Sequence, residues 1–149
     1  MQKRIFRVGI PIIAVLIIAM ALVFLFYPLT LSSVIMGSTT TATECHISYT
    51  NAEKVRTEIV LRDAEDVTLL AAQLMSLSIR PRGVYGNGIA FYSDNCLYNI
   101  SFYNGVHEIG TVTLDAKGYA YARHIKYVLL GENKSSILET IETYFRQTN

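Results

Sequence analysis

Residues 8–31 read VGIPIIAVLIIAMALVFLFYPLTL, and the run contains no charged residue. Coiled as one helix at about 1.5 Å per residue it is roughly 36 Å long, more than the ~30 Å hydrocarbon core of a bilayer. Pro11 falls in the first turn, where a missing N–H costs little, and Pro28 lies near the exit, where it kinks or ends a helix. Lys3, Arg4 and Arg7 precede the run, whereas the next basic residue after it is Lys54. That asymmetry places the N-terminus on the cytoplasmic side. The rival reading, a cleaved signal peptide, fits less well, because the apolar region exceeds the usual length and Ala19 to Ala21, its only A-x-A, lies inside it.

The expected organisation follows outward from this run. Residues 1–7 form a basic cytoplasmic tail, 8–31 a transmembrane signal anchor, 32–43 a tether, and 44–149 an extracytoplasmic domain. The expected location is a cell membrane, crossed once, with the C-terminal domain outside. The tether is rich in Ser, Thr and Gly and also holds Val34, Ile35 and Met36, apolar residues suited to a membrane interface.

In the remainder of the 149-residue chain, apolar alternation decides the elements. Cys45, Ile47 and Tyr49 share one face of CHISYT, and Val55, Thr57, Ile59 and Leu61 share one face of KVRTEIVL, so two strands are predicted around the turn NAEK. Asp63 is suited to cap a helix bearing Val67, Leu70, Ala71, Leu74 and Ser78, which Pro81 stops. Further strands are predicted in IAFYS, in CLYNISFY, from Val106 to Leu114 and across YAYARHIKYVLL, with Asn104-Gly105 as a type I′ hairpin turn. Ser136 and Glu139 open a last helix with Ile137, Ile141 and Phe145 inward. The fold class is therefore α+β, a transmembrane helix followed by a ββαββββα domain with an antiparallel sheet and helices packed on one face. Phe91, Tyr98, Ile100, Phe102, Val112, Leu114, Tyr121, Ile125 and Tyr127 are its core candidates.

VRTEIVLRDAEDVTLLAAQLMSLSIRP, LYNISFYNG and YAYARHIKYVLL with its closing helix resemble, in pattern and order, uncharacterised small exported domains of Firmicutes bacteria. The resemblance covers about Val55 to Phe145. It implies location and fold, and carries over no functional residue.

Charge and motifs exclude more than they assign. Beyond the three N-terminal cations, 10 basic residues stand against 12 acidic ones, which leaves no footprint for nucleic acid. Cys45 and Cys96 both fall on inward-facing strand positions, and outside a cell such a pair is expected to form a disulfide, the alternative being two buried free thiols. Zinc is not expected, since His46 follows Cys45 directly and His107 and His124 lack ligand spacing. Asp63, Glu65 and Asp66 are explained by capping before calcium, and Arg80 and Arg82 form a solvated loop pair that is also able to grip a phosphate or carboxylate. No G-x-S-x-G elbow accompanies the Ser, His and Asp inventory. No catalytic residue, metal or cofactor is therefore assigned. The expected function is a membrane-anchored, non-enzymatic binding or accessory module of the cell envelope; the alternative is an envelope hydrolase or metal enzyme assembled from distant residues. Its expected partners are the lipid bilayer through residues 8–31 and an envelope protein or glycan, met on the sheet face bearing Tyr92, Asn99, Ser101, Tyr103, Thr111, Thr113, His124 and Lys126, with Tyr92 and Tyr103 as anchors.

Overall fold

The computed structural model describes residues 2–35, 41–51, 53–84, 96–131 and 133–148. Among them are three α-helices, α1 (Gln2–Phe26), α2 (Ala64–Met75) and α3 (Asn133–Thr148). Eight strands are present: β1 (Leu29–Thr30), β2 (Glu44–Thr50), β3 (Arg56–Leu61), β4 (Ser78–Val84), β5 (Leu97–Asn104), β6 (His107–Asp115), β7 (Tyr119–Ala122) and β8 (Ile125–Leu130). They form one sheet in the order β1-β4-β8-β7-β6-β5-β2-β3, and every neighbouring pair within it is antiparallel. The domain is thus mostly sheet, with two more strands than ββαββββα provides.

The run 8–31 is not one element. The helix stops at Phe26, Tyr27 and Pro28 turn the chain, and Leu29 and Thr30 pair with Ile79 and Ser78 of β4. Leu31 then donates its N–H to Leu77 O at 2.8 Å and buries its side chain completely. Among the described residues no helix is long and apolar enough to cross a membrane. This finding overturns the expected transmembrane anchor, and with it the single-pass placement of the chain. Val34 and Ile35, expected in a tether at a membrane interface, instead lie in the core beside Leu31; Met36 falls outside the described residues.

Helix α2 starts where its cap predicts. Asp63 accepts from the N–H groups of Glu65 at 2.9 Å and Asp66 at 3.3 Å, which satisfies two of the donors that a helix start leaves unpaired. Val67, Leu70, Ala71 and Leu74 face inward. Helix α3 supplies Ile137, Ile141 and Tyr144 to the same core, and Tyr144 Oη donates to Asp66 at 3.2 Å, tying the two helices together. Both helices cover the sheet face that carries Cys45, Ile47, Ile59, Ile79, Tyr98, Ile100, Phe102, Val112, Leu114, Tyr127 and Leu129.

Three local departures from the sequence reading have physical causes. Pro81 does not end the pattern but sits buried within β4, opposite Tyr127, beside a register shift at Gly83. Strand β1 pairs only with Ser78 and Ile79, so among the described residues the other side of β4 has no ladder to lose at Pro81, which is where a strand tolerates proline. The β5–β6 hairpin closes with Gly105 and Val106 between Asn104 and His107, and φ is positive at Gly105 but not at Val106. This is the type II′ arrangement, not the expected I′ turn on Asn104-Gly105. YAYARHIKYVLL is two strands, because Arg123 and His124 have φ of 47° and 62° and make a two-residue I′ turn without Gly, Asn or Asp. The turn changes the alternation: Tyr127 is in the core, whereas Tyr121 pairs with Lys126 and is buried on the other face. The strand expected in IAFYS, and Phe91 with it, lies outside the described residues.

Core membership of Leu31 is measurable. Leu31→Ala should destabilise the domain by about 3 kcal/mol, the range for a buried leucine truncation, whereas a tether residue would change stability by less than about 0.5 kcal/mol. Equilibrium denaturant unfolding distinguishes the two.

Candidate functional site

Strand alternation divides the sheet into a helix-covered face and an opposite face that neither α2 nor α3 covers. On the second face, pairing sets Asn99 opposite Thr113 and Ser101 opposite Thr111. These groups bond to one another: Thr113 Oγ1 donates to Asn99 Oδ1 at 3.1 Å, the Ser101 and Thr111 hydroxyls lie 2.9 Å apart, and Thr111 also reaches Ile100 O at 3.2 Å. The row continues through Tyr121 on β7 to Lys126 on β8, so Asn99, Thr113, Tyr121 and Lys126 span four neighbouring strands. Tyr103 closes one end, its ring 4.6 Å from the His46 ring and its hydroxyl 3.4 Å from Glu108. His124 sits exposed at the β7–β8 turn, apart from this row. Tyr92, the second expected anchor, lies outside the described residues.

His46 and Ser48 also belong to this face, turned outward by the alternation that turns Cys45, Ile47 and Tyr49 inward, although the surface expected from sequence included neither. His46 lies between Glu44 at 3.3 Å and Glu58 at 3.5 Å, and Arg62 and Arg56 pair with the same two carboxylates. At the other end of the face the charge is positive. Lys126 Nζ stands 3.7 Å from the Tyr119 ring centroid and 5.7 Å from that of Tyr121, a cation held by aromatic faces. Tyr121 is fixed in turn, since its hydroxyl donates to the buried Asp115 at 2.9 Å.

A second concavity opens on the helix side, between the ends of β2, β3 and β5 and the last turns of α3. About 340 Å³ is lined by Tyr49, Thr57, Tyr98, Glu142, Phe145 and Arg146. Tyr49 and Tyr98 pack with centroids 5.0 Å apart, Tyr98 Oη donates to Glu142 at 3.3 Å, and Tyr49 Oη donates to Cys96 Sγ at 3.0 Å. That thiol bond is the main cause raising Tyr49 to about 12, with burial adding to it. Burial, then the charge of Glu142, lifts Tyr98 well above the usual phenol range, and burial followed by Asp66 lifts Tyr144 to about 12. These phenols stay neutral and hold the aromatic cluster to its carboxylates.

The expected disulfide is corrected. Cys45 and Cys96 are both free thiols. Cys45 pairs with Phe102, and Cys96 precedes Leu97 at the opposite end of β5, so six residues of extended chain, roughly 20 Å, separate them across the ladder. A disulfide needs Cα atoms within about 7 Å. Burial pushes the Cys45 thiol up to about 12, so it remains an unionised core group at neutral pH.

The histidines are also dispersed: His46 is on β2, His107 begins β6 and His124 is in the β7–β8 turn. Among the described residues no group of three His, Cys, Asp or Glu side chains is placed to hold a metal ion. No family model, curated protein or solved structure matches this chain. Its functional reading therefore rests on the geometry of the face and cleft.

Two measurements follow. A thiol reagent applied to the folded chain should modify Cys96, which is partly exposed, and reach fully buried Cys45 only after denaturation, with no reductant needed for either; mass spectrometry reads the order. Raised acidic groups stabilise the fold while both folded and unfolded forms stay protonated. Stability should therefore hold below the ordinary values of 9.0 for the thiol and 10.0 for the phenols, then fall as pH rises toward about 12. Tyrosinate absorbance and circular dichroism, followed together through alkaline titration, should show late phenol ionisation coinciding with loss of the fold.

Proposed function

We propose that this chain is a binding module that presents the uncovered sheet face to a protein partner, without catalysis on that face. The observation that carries this reading is the row of short polar side chains on β5 and β6, already bonded to one another through Asn99–Thr113 and Ser101–Thr111. Side chains held in place by their neighbours lose little rotamer freedom on association, which lowers the entropy cost of binding. Asn99 and Thr111 remain exposed and retain hydrogen-bonding capacity toward solvent. Tyr103 adds an aromatic edge whose orientation is set by His46 and Glu108. A hydrogen-bonding surface with an aromatic border suits a wet contact of modest affinity better than it suits a reaction, which needs a site that excludes water.

The test compares two baits. Tyr103→Ala combined with Thr113→Lys removes the aromatic edge and places a long cation in the middle of the row. A protein cross-linked to the wild-type chain in cells of its source should be recovered about tenfold less with the double variant, a loss of about 1.4 kcal/mol, while the thermal unfolding midpoint stays within a few degrees of wild type. Equal recovery by both baits would move the contact away from this face.

A further inference from the structure

The positive end of the same face contains an unmet demand for a counter-charge. Arg80 on β4 pairs with Val128 on β8, so its side chain shares the uncovered face with Lys126, two residues earlier along β8. Diagonal neighbours of this kind lie about 7–8 Å apart at the backbone, within reach of one small ligand held by two long side chains. Among the described residues Arg80 Nε is buried and meets no hydrogen-bond acceptor. Among the described residues neither Arg80 nor Lys126 takes part in an ion pair, whereas Arg56, Arg62 and Arg146 each meet a carboxylate. A buried N–H of a charged group left without an acceptor is costly, and the cost falls when an anion supplies one. Lys126 is pre-positioned by the rings of Tyr119 and Tyr121, which hold its ammonium over the sheet without neutralising it.

We propose that Arg80 and Lys126 form a binding site for a phosphate group on the uncovered face of β4, β8 and β7. The guanidinium offers a planar fork that takes two oxygens, and the lysine is a point charge suited to a third. A carboxylate has only two oxygens and satisfies the fork alone, whereas a phosphate monoester or diester has enough for both cations. Tyr119 walls the site beneath Lys126. Exposed Arg82, next along the strand past Pro81, adds positive charge at its margin. The site deepens the binding reading above, because it lies on the same face, but it does not require the Asn99–Thr113 row.

The probes are inorganic phosphate added to the full chain, and vesicles of neutral lipid with or without a phosphodiester-headgroup anionic lipid. Titration with phosphate at constant ionic strength should shift the Arg80 Nε–H resonance saturably, and chloride at equal ionic strength should not. Followed on the Tyr119 ring resonances, which every variant retains, Arg80→Gln and Lys126→Met should each weaken phosphate binding about tenfold, and Arg80→Lys should restore the charge without the fork and recover only part of it. Tyr103→Ala with Thr113→Lys should leave the phosphate response in place, so failure of the protein-contact reading and failure of this one are separable. A response to anionic vesicles that exceeds the response to neutral ones, and that Arg80→Gln removes, assigns the phosphate to a lipid headgroup; a response to inorganic phosphate alone assigns it to a soluble phosphorylated compound. An Arg80 resonance unmoved by both probes, or moved equally by chloride, overturns the site, and so does a full response in folded Lys126→Met.

Discussion

The register between β2, β5 and β6 is the constraint on which the rest depends. Ile47 meets Ile100, and Ile100 meets Val112, so three neighbouring strands place branched side chains in one row beneath the helices. A slip of one residue would turn this row outward and drive His46, Asn99, Ser101 and Thr113 into the core, where their polar groups would lack partners. The apolar row and the polar face are two consequences of one alignment. The same alignment places Cys45 and Cys96 at different ends of the ladder and allows Tyr49 to reach the second thiol.

Around that centre, each margin of the sheet is built differently. Strands β2 and β3 are joined through Asn51, whose carboxamide receives the Val55 N–H while its carbonyl receives that of Lys54. Strand β4 carries a proline where its neighbour has run out, and β7 and β8 turn through two non-glycine residues with positive φ. Such residues cost conformational energy that the flanking pairs must offset, and Ala122 with Ile125, then Tyr121 with Lys126, supply those pairs immediately. The positive charge on the uncovered face is a product of this margin: without the turn, Lys126 would not stand against Tyr119.

Legibility in the sequence followed the strength of local periodicity. Ile47, Ile100, Phe102, Val112 and Leu114 alternate so regularly that their side of the sheet was evident, and Asp63 announced the start of α2. Arg123 and His124 carry no Gly, Asn or Asp turn signature, and a hairpin was read as one strand. Pro81 looked like a stop, since its tolerance depends on where β1 ends, a fact of tertiary pairing. The apolar run 8–31 concealed its boundary because Leu31, which enters the core, is the same kind of side chain as the exposed apolar residues of the helix before it. Cys45 and Cys96 share an inward orientation, yet their separation is fixed by register, which orientation alone does not reveal. Of the candidate surface, Asn99, Ser101, Thr111 and Thr113 were legible from alternation, whereas Arg80 needed the pairing of β4 with β8 to bring it beside Lys126.

The joint between α1 and the sheet is only Tyr27 and Pro28, and it leads directly into a strand and a buried leucine. Slack is therefore nearly absent from this connection. A pull or twist applied to the helix arrives at the edge of β4 with little length over which to dissipate, and meets two ladder pairs backed by the anchoring of Leu31 to Leu77. Mechanically the helix is a handle on the sheet, and β1 is the rivet that would shear first under load.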